Sequence, residues 1–158
     1  MKYNSWKILL CAMPTIGGFF IRRAQLRLGY TKEEAKWTHV TIYNEETCTL
    51  YESVASGVVK SHINKYIAKG IPTYLLDIKE PPEDIHKRCI DHMYENNNNE
   101  QTEYDYSLIF GLFLFSIGFP KKIINYFNNK NKDICTEYVS QVLKLKIFCP
   151  AEYYKKFK

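Results

Sequence analysis

The 158-residue chain has no apolar run long enough to span a bilayer. Its longest, "LIFGLFLFSIGF" (residues 108–119), is interrupted by Gly111 and Gly118, whereas a membrane helix needs about 20 apolar residues. Near the N-terminus, "MKYNSWKILLCAMPTIGG" holds only a short apolar run and no A-x-A-like cleavage site, so no signal peptide is expected. P-loop, GxSxG and dinucleotide-binding patterns are all missing, which leaves nucleotide-driven and serine-hydrolase chemistry without support. Zinc-finger spacing, an RNA-binding signature and an arginine-rich arm are missing too, so nucleic acid is not an expected partner. The five cysteines are odd in number and not closely spaced, which excludes a disulfide framework and places the chain in the cytoplasm or another reducing compartment.

What is present suits one globular domain spanning 1–158. Hydrophobic residues make up 46% and charged residues 25%, enough apolar material for a core and enough charge for a solvated surface. The formal charge is +5, with "KKIINYFNNKNK" and "YYKKFK" making the last forty residues locally basic. The plain reading is a solvated face; peripheral contact with phosphate or anionic lipid is the alternative. The sequence leaves the oligomeric state open.

Periodicity outlines an α+β fold. "KILLCAM" reads as a buried strand. "FFIRRAQLRLG" reads as a helix with Gly29 at its C-cap, followed by a helical turn at "TKEEAKW". "THVTIYNEETCTLYES" reads as two strands around a tight connection. "SHINKYIAKG" reads as a short helix from an N-capping Ser61 to Gly70, "PTYLLDI" as a strand, and "PPEDIHKRCIDHMYE" as a helix. "NNNNEQTE" is a polar loop, and "YDYSLIFGLFLF" fits a buried helix or a strand equally. "ICTEYVSQVLKL" puts Ile134, Tyr138, Val142 and Leu145 on one helical face.

Two places could carry chemistry. If "NEET" forms the turn, Tyr43 faces Cys48, Thr41 faces Leu50, and His39 faces Glu52 across the antiparallel pair. A carboxylate there can accept the Nδ1–H of the imidazole, fix its tautomer and stabilise its protonated form. Asp133 as N-cap would set Cys135 in the first turn of a helix, where free N–H groups and the helix dipole favour a thiolate and can donate to an oxyanion. Each feature also has a plainer reading: a surface His–Glu pair, and a small buried cysteine. His86, Cys89 and His92 share a helix, but the outer two lie about 9 Å apart along its axis, too far to meet on one metal ion.

Taken together, these stretches resemble the circularly permuted branch of the NlpC-type papain-like cysteine peptidases and amidases, the group that also holds the lecithin retinol acyltransferase-like proteins. The likeness rests on their order. "WKILLCAMPTIGGFFIRRAQLRLG" opens the chain, "WTHVTIY" carries His39, "LYES" carries Glu52, "YDYSLIFGL" follows, and "CTEYVSQVL" carries Cys135 as the final helix. The resemblance implies a papain-like fold, a small antiparallel sheet packed against helices with the nucleophile on the C-terminal helix. It implies Cys135 as nucleophile, His39 as base and Glu52 as the orienting residue, with no metal or cofactor. The implied substrate is an amide in a peptide, a cell-wall peptide or a protein conjugate. The opening strand lacks the Gly-Asp that often begins it in relatives, and "ICTEY" stands where the acyltransferase subgroup has "NCEHF". The alternatives are a lipid acyltransferase or phospholipase of the same permuted fold, or a catalytically inactive interaction module.

Overall fold

The computed structural model describes residues 5–95, 100–128 and 132–158. Five strands form one antiparallel sheet: β1 (Trp6–Cys11), β2 (His39–Asn44), β3 (Thr49–Val54), β4 (Gly57–His62) and β5 (Thr73–Asp77), in the order β4-β3-β2-β1-β5. The first helices are α1 (Ile16–Arg27) and α2 (Lys32–Ala35) between β1 and β2, and α3 (Asn64–Ile67) after β4. Then come α4 (Ile85–Asp91), the two-residue strands β6 (Tyr94–Glu95) and β7 (Glu100–Gln101), α5 (Tyr106–Ser116) and α6 (Lys122–Phe127). α7 (Cys135–Leu143) and α8 (Pro150–Phe157) close the chain. The fold is α+β, with eight helices among the described residues.

The sheet sorts its side chains by strict alternation. Ile8, Leu10, Val40, Ile42 and Tyr51 face one side, where Tyr138, Val139 and Val142 of α7 and Tyr153 and Tyr154 of α8 complete the main core. Leu9, Cys11, Tyr43 and Leu50 face the other side and pack on Tyr66 of α3. Odd-numbered His39 and even-numbered Glu52 fall on this second face, beside Tyr43 and Leu50 of their own strands.

The α7 seam is the amphipathic pattern anticipated over 134–145, with one change at its end. Lys144 turns left-handed at φ 53° and Leu145 N–H returns to the Ser140 carbonyl at 2.8 Å, so the helix stops at Leu143. "YDYSLIFGLFLF" resolves to helix. Its Asp105 caps the Leu108 N–H at 3.0 Å, and Gly111 lets α6 close on α5, where an added Cβ would sit 3.1 Å from Phe127 Cβ.

Four readings of the sequence need correcting. β4 was not anticipated, and Ser61 lies in it rather than capping a helix; only Asn64–Ile67 are helical. The strand exists because Ala55–Ser56 make a two-residue turn closing on Gly57, whose φ of 102° suits glycine. α7 is also not the last helix, because α8 follows it with Pro150 in its first turn. "NNNNEQTE" is not all loop either: Glu100 and Gln101 pair with β6, while 96–99 lie outside the described residues.

The hairpin register is the fourth. Tyr43 pairs with Leu50 and Asn44 with Thr49, so the loop is Glu45–Cys48 rather than Asn44–Thr47. Asn44 Oδ1 accepts the Thr47 N–H at 3.1 Å, and Cys48 adopts φ 54° to turn the chain. Sliding a four-residue loop by one position shifts the pairing by two. Two is the side-chain period, so no residue changes face. His39 and Glu52 therefore become diagonal rather than direct neighbours, within reach of long side chains.

Candidate active site

His39 opens β2 directly opposite Cys11 of β1. The preceding residue is fixed on both sides: Thr38 N–H donates to the Cys11 carbonyl at 3.0 Å and its hydroxyl accepts the Met13 N–H at 2.9 Å. The imidazole Nε2–H donates to Glu52 Oε2 at 2.9 Å, and Cys135 neighbours the ring. The sequence reading expected Nδ1 on the carboxylate. With Nε2 there instead, Nδ1 is the nitrogen left for the sulfur.

Cys135 reaches this point because the start of α7 is tied to the sheet. Ser53 Oγ donates to the Asp133 carbonyl at 2.8 Å, and the Asp133 N–H donates to the Glu103 carbonyl at 3.1 Å. Asp133 is not the N-cap, since Ile134 occupies that position. The Asp133 carboxylate accepts Gln141 Nε2 at 2.7 Å, and Glu137 reaches back to the Ile134 N–H at 3.1 Å. The expected position of Cys135, in the first helical turn, stands on different caps. Its first-turn N–H groups have no partners within the helix.

Glu52 is fully buried and collects four donors: His39 Nε2, Tyr66 Oη at 2.5 Å, Ser61 Oγ and Lys65 Nζ. Burial alone would raise its pKa. The hydrogen bond and charge of His39, with Lys65 and Ser61, overcome that and hold the carboxyl at about 2. For His39, burial pulls the pKa down, while the charge and hydrogen bond of Cys135 and of Glu52 bring it up to about 10. Near neutral pH the site therefore holds a carboxylate against an imidazolium. Burial and the neighbouring Glu52 push the Tyr66 phenol far up, so it stays a donor.

No family model, curated protein or solved structure matches the chain. What the site can do is read from its own geometry. Cys135, His39 and Glu52 come from three elements, with His39 hydrogen-bonded to Glu52 and neighbouring Cys135. Cys135 is nearly enclosed, at 2% exposure. A groove of about 310 Å³ is lined by Ser56, Gly57, Glu103, Tyr104, Tyr106 and Lys132. Tyr104 connects the groove lining to the residue two before Cys135. It bridges to Asp133, and its phenol, raised first by burial, is raised further by charge on Cys135.

Ser61, Lys65, Tyr66 and Tyr104 were not singled out from sequence. Recognising β4 would have exposed Ser61, because Glu52 pairs with Val59 and Ser61 is the next residue on the same face. Lys65 and Tyr66 arrive through the turn into α3, which has no signature in "NKY". The His86, Cys89 and His92 set does not converge: His86 makes ring contacts with Trp6 and Tyr51, while Cys89 is buried in the core. Among the described residues no cluster of three or more His, Cys, Asp or Glu is placed to hold a metal ion.

Next to Cys135 in the chain, the Thr136 hydroxyl is fully buried and, among the described residues, has no hydrogen-bond partner. An unsatisfied buried hydroxyl costs on the order of 1 kcal/mol or more. Thr136→Val is accordingly expected to raise the denaturant midpoint with an unchanged slope. A lower midpoint would mean that the hydroxyl is bonded in solution.

Proposed function

We propose that this domain is a cysteine hydrolase that cleaves an amide bond through a thioester acyl-enzyme, on a papain-like fold in the permuted NlpC arrangement. The observation that carries the reading is the buried line Cys135–His39–Glu52. Its supporting detail is the ionisation: Glu52 keeps its charge and His39 keeps its proton near neutrality, so the sulfur has a positive charge beside it that favours its attack.

In the first half-reaction Cys135 Sγ adds to the substrate carbonyl carbon, and the π electrons move onto oxygen. N–H groups at the start of α7 donate to that oxyanion. When the tetrahedral adduct collapses, the C–N bond breaks, the amine leaves with the His39 proton, and the acyl group stays on sulfur. Neutral His39 then takes a proton from water as the water oxygen attacks the thioester. Collapse releases a carboxylic acid and restores thiolate and imidazolium. Glu52 holds the ring throughout and stays ionised. The groove beside Tyr104 receives the substrate, an amide in a peptide, a cell-wall peptide or a protein conjugate.

p-Nitrophenyl acetate tests this without knowledge of the natural substrate. A burst of p-nitrophenolate is expected, with one acetyl group mapped to Cys135 and no burst from Cys135→Ala. Acetylation confined to lysines, or a burst that survives Cys135→Ala, would sink the reading.

A further inference from the structure

We infer that the face built by α1, α5 and α6 docks on an anionic lipid bilayer. The charge distribution carries the argument. Residues 1–32 and 106–132 contain no Asp or Glu, although the chain has 17 of them. These two stretches supply all three helices. α1 carries Arg22, Arg23 and Arg27, α5 carries no charged side chain, and Lys121 and Lys122 open α6. The layer is therefore cationic with no acidic group of its own to offset it, which complements a negatively charged surface.

The same layer exposes apolar groups that a solvated face does not need. Ile117 and Phe119 are about half exposed at the corner between α5 and α6, Phe19 is exposed on α1, and Tyr126 is 81% exposed on α6. They border a continuous set of ring contacts, Phe19–Phe20–Phe113–Phe110–Phe127–Tyr126, with centroid separations from 4.7 to 5.9 Å. Aromatic side chains beside Lys and Arg are the composition of interfacial anchors.

The corner is also held rigid. The Arg27 guanidinium donates to the Phe115, Gly118 and Phe119 carbonyls, at 3.0 Å for Gly118 and 2.7 Å for Phe119. Arg23 Nε donates to the Ser116 carbonyl at 3.2 Å. Gly118 sits at φ 128°, allowing the turn that presents Ile117 and Phe119 on either side. α5 is 11 residues long, and among the described residues no helix is long and apolar enough to cross a membrane. The contact is thus one of surface insertion, with the corner entering the headgroup region and Lys121 and Lys122 meeting phosphate.

Flotation of the full chain with vesicles tests it. Binding is expected to vesicles of phosphatidylcholine mixed with phosphatidylserine, to vanish with phosphatidylcholine alone, and to weaken in high salt. The Ile117→Ser/Phe119→Ser and Lys121→Glu/Lys122→Glu double variants should each lower the bound fraction by about tenfold or more, with thermal midpoint and Cys135 alkylation unchanged. No flotation with phosphatidylserine at low salt would overturn the inference, as would flotation indifferent to both double variants. Self-association in sedimentation that the Ile117/Phe119 variant abolishes would instead assign the face to a second copy of the chain.

Discussion

Glu52→Ala is expected to cost the fold about 3–5 kcal/mol, the usual penalty for removing one partner of a buried ion pair. The loss exceeds that of one hydrogen bond because four donors converge on this carboxylate. With it gone, the His39 imidazolium and Lys65 ammonium lose their counter-ion, and Ser61 and Tyr66 lose their acceptor. For a chain of this length the thermal midpoint should fall by roughly 10 °C. Glu52→Gln keeps the shape but not the charge and should fall in between.

The pH dependence of that loss has a definite sign. Glu52 is lowered from an ordinary 4.5 to about 2, so its contribution is complete above pH 4.5 and disappears as pH falls through 2. His39 is raised from 6.5 to about 10, so its contribution is complete below pH 6.5 and disappears as pH rises through 10. The stability gap between the native chain and Glu52→Gln should be widest between those two ordinary values, from pH 4.5 to 6.5. Thermal midpoints across pH check this. A gap that widens steadily toward alkaline pH would contradict the assigned charges.

His39→Ala should disable the chemistry while leaving Cys135 in place. Losing the group that carries the proton in both half-reactions lowers turnover by about 10²–10⁴-fold. Alkylation of Cys135 near pH 7 should also fall, by about tenfold or more, because the thiolate loses its adjacent positive charge. The pH profiles separate this from a packing defect. The native profile should be flatter than the variant's between about pH 6 and 9, since the positive charge beside the sulfur persists while His39 holds its proton, up to about 10. In His39→Ala the rate should climb with pH, as for an ordinary thiol of pKa about 8.5. Parallel profiles would mean that His39 does not govern the sulfur.

Much of this arrangement was legible in the sequence because alternation and helical spacing are robust to small errors. The His39–Glu52 pair was found with a register wrong by two residues. A one-residue slide of the loop preserves facing, so the conclusion outlived the error. Cys135 falls in a first helical turn although the N-cap is Ile134 and not the expected Asp133, because several polar groups compete to close that turn. What alternation alone cannot give is long-range convergence. Lys65 and Tyr66 meet Glu52 only because β4 and α3 fold back over the second face of the sheet. β4 itself was hidden by "SHINKY", which reads as a helix start when the Ala55–Ser56 turn is overlooked. The charge asymmetry of α1, α5 and α6 was present in the sequence as two acid-free stretches. Only their packing into one layer makes it a surface.

The central claim, that His39 and Glu52 activate Cys135, is tested most directly by limiting alkylation of the native chain with iodoacetamide at pH 7, followed by peptide mapping. Exposure and activation predict opposite outcomes. Cys48 is partly exposed, whereas Cys11, Cys89, Cys135 and Cys149 are buried. The predicted result is a first adduct on Cys135, at a rate that falls in His39→Ala. A first adduct on Cys48, with Cys135 untouched until the chain unfolds, would contradict the account.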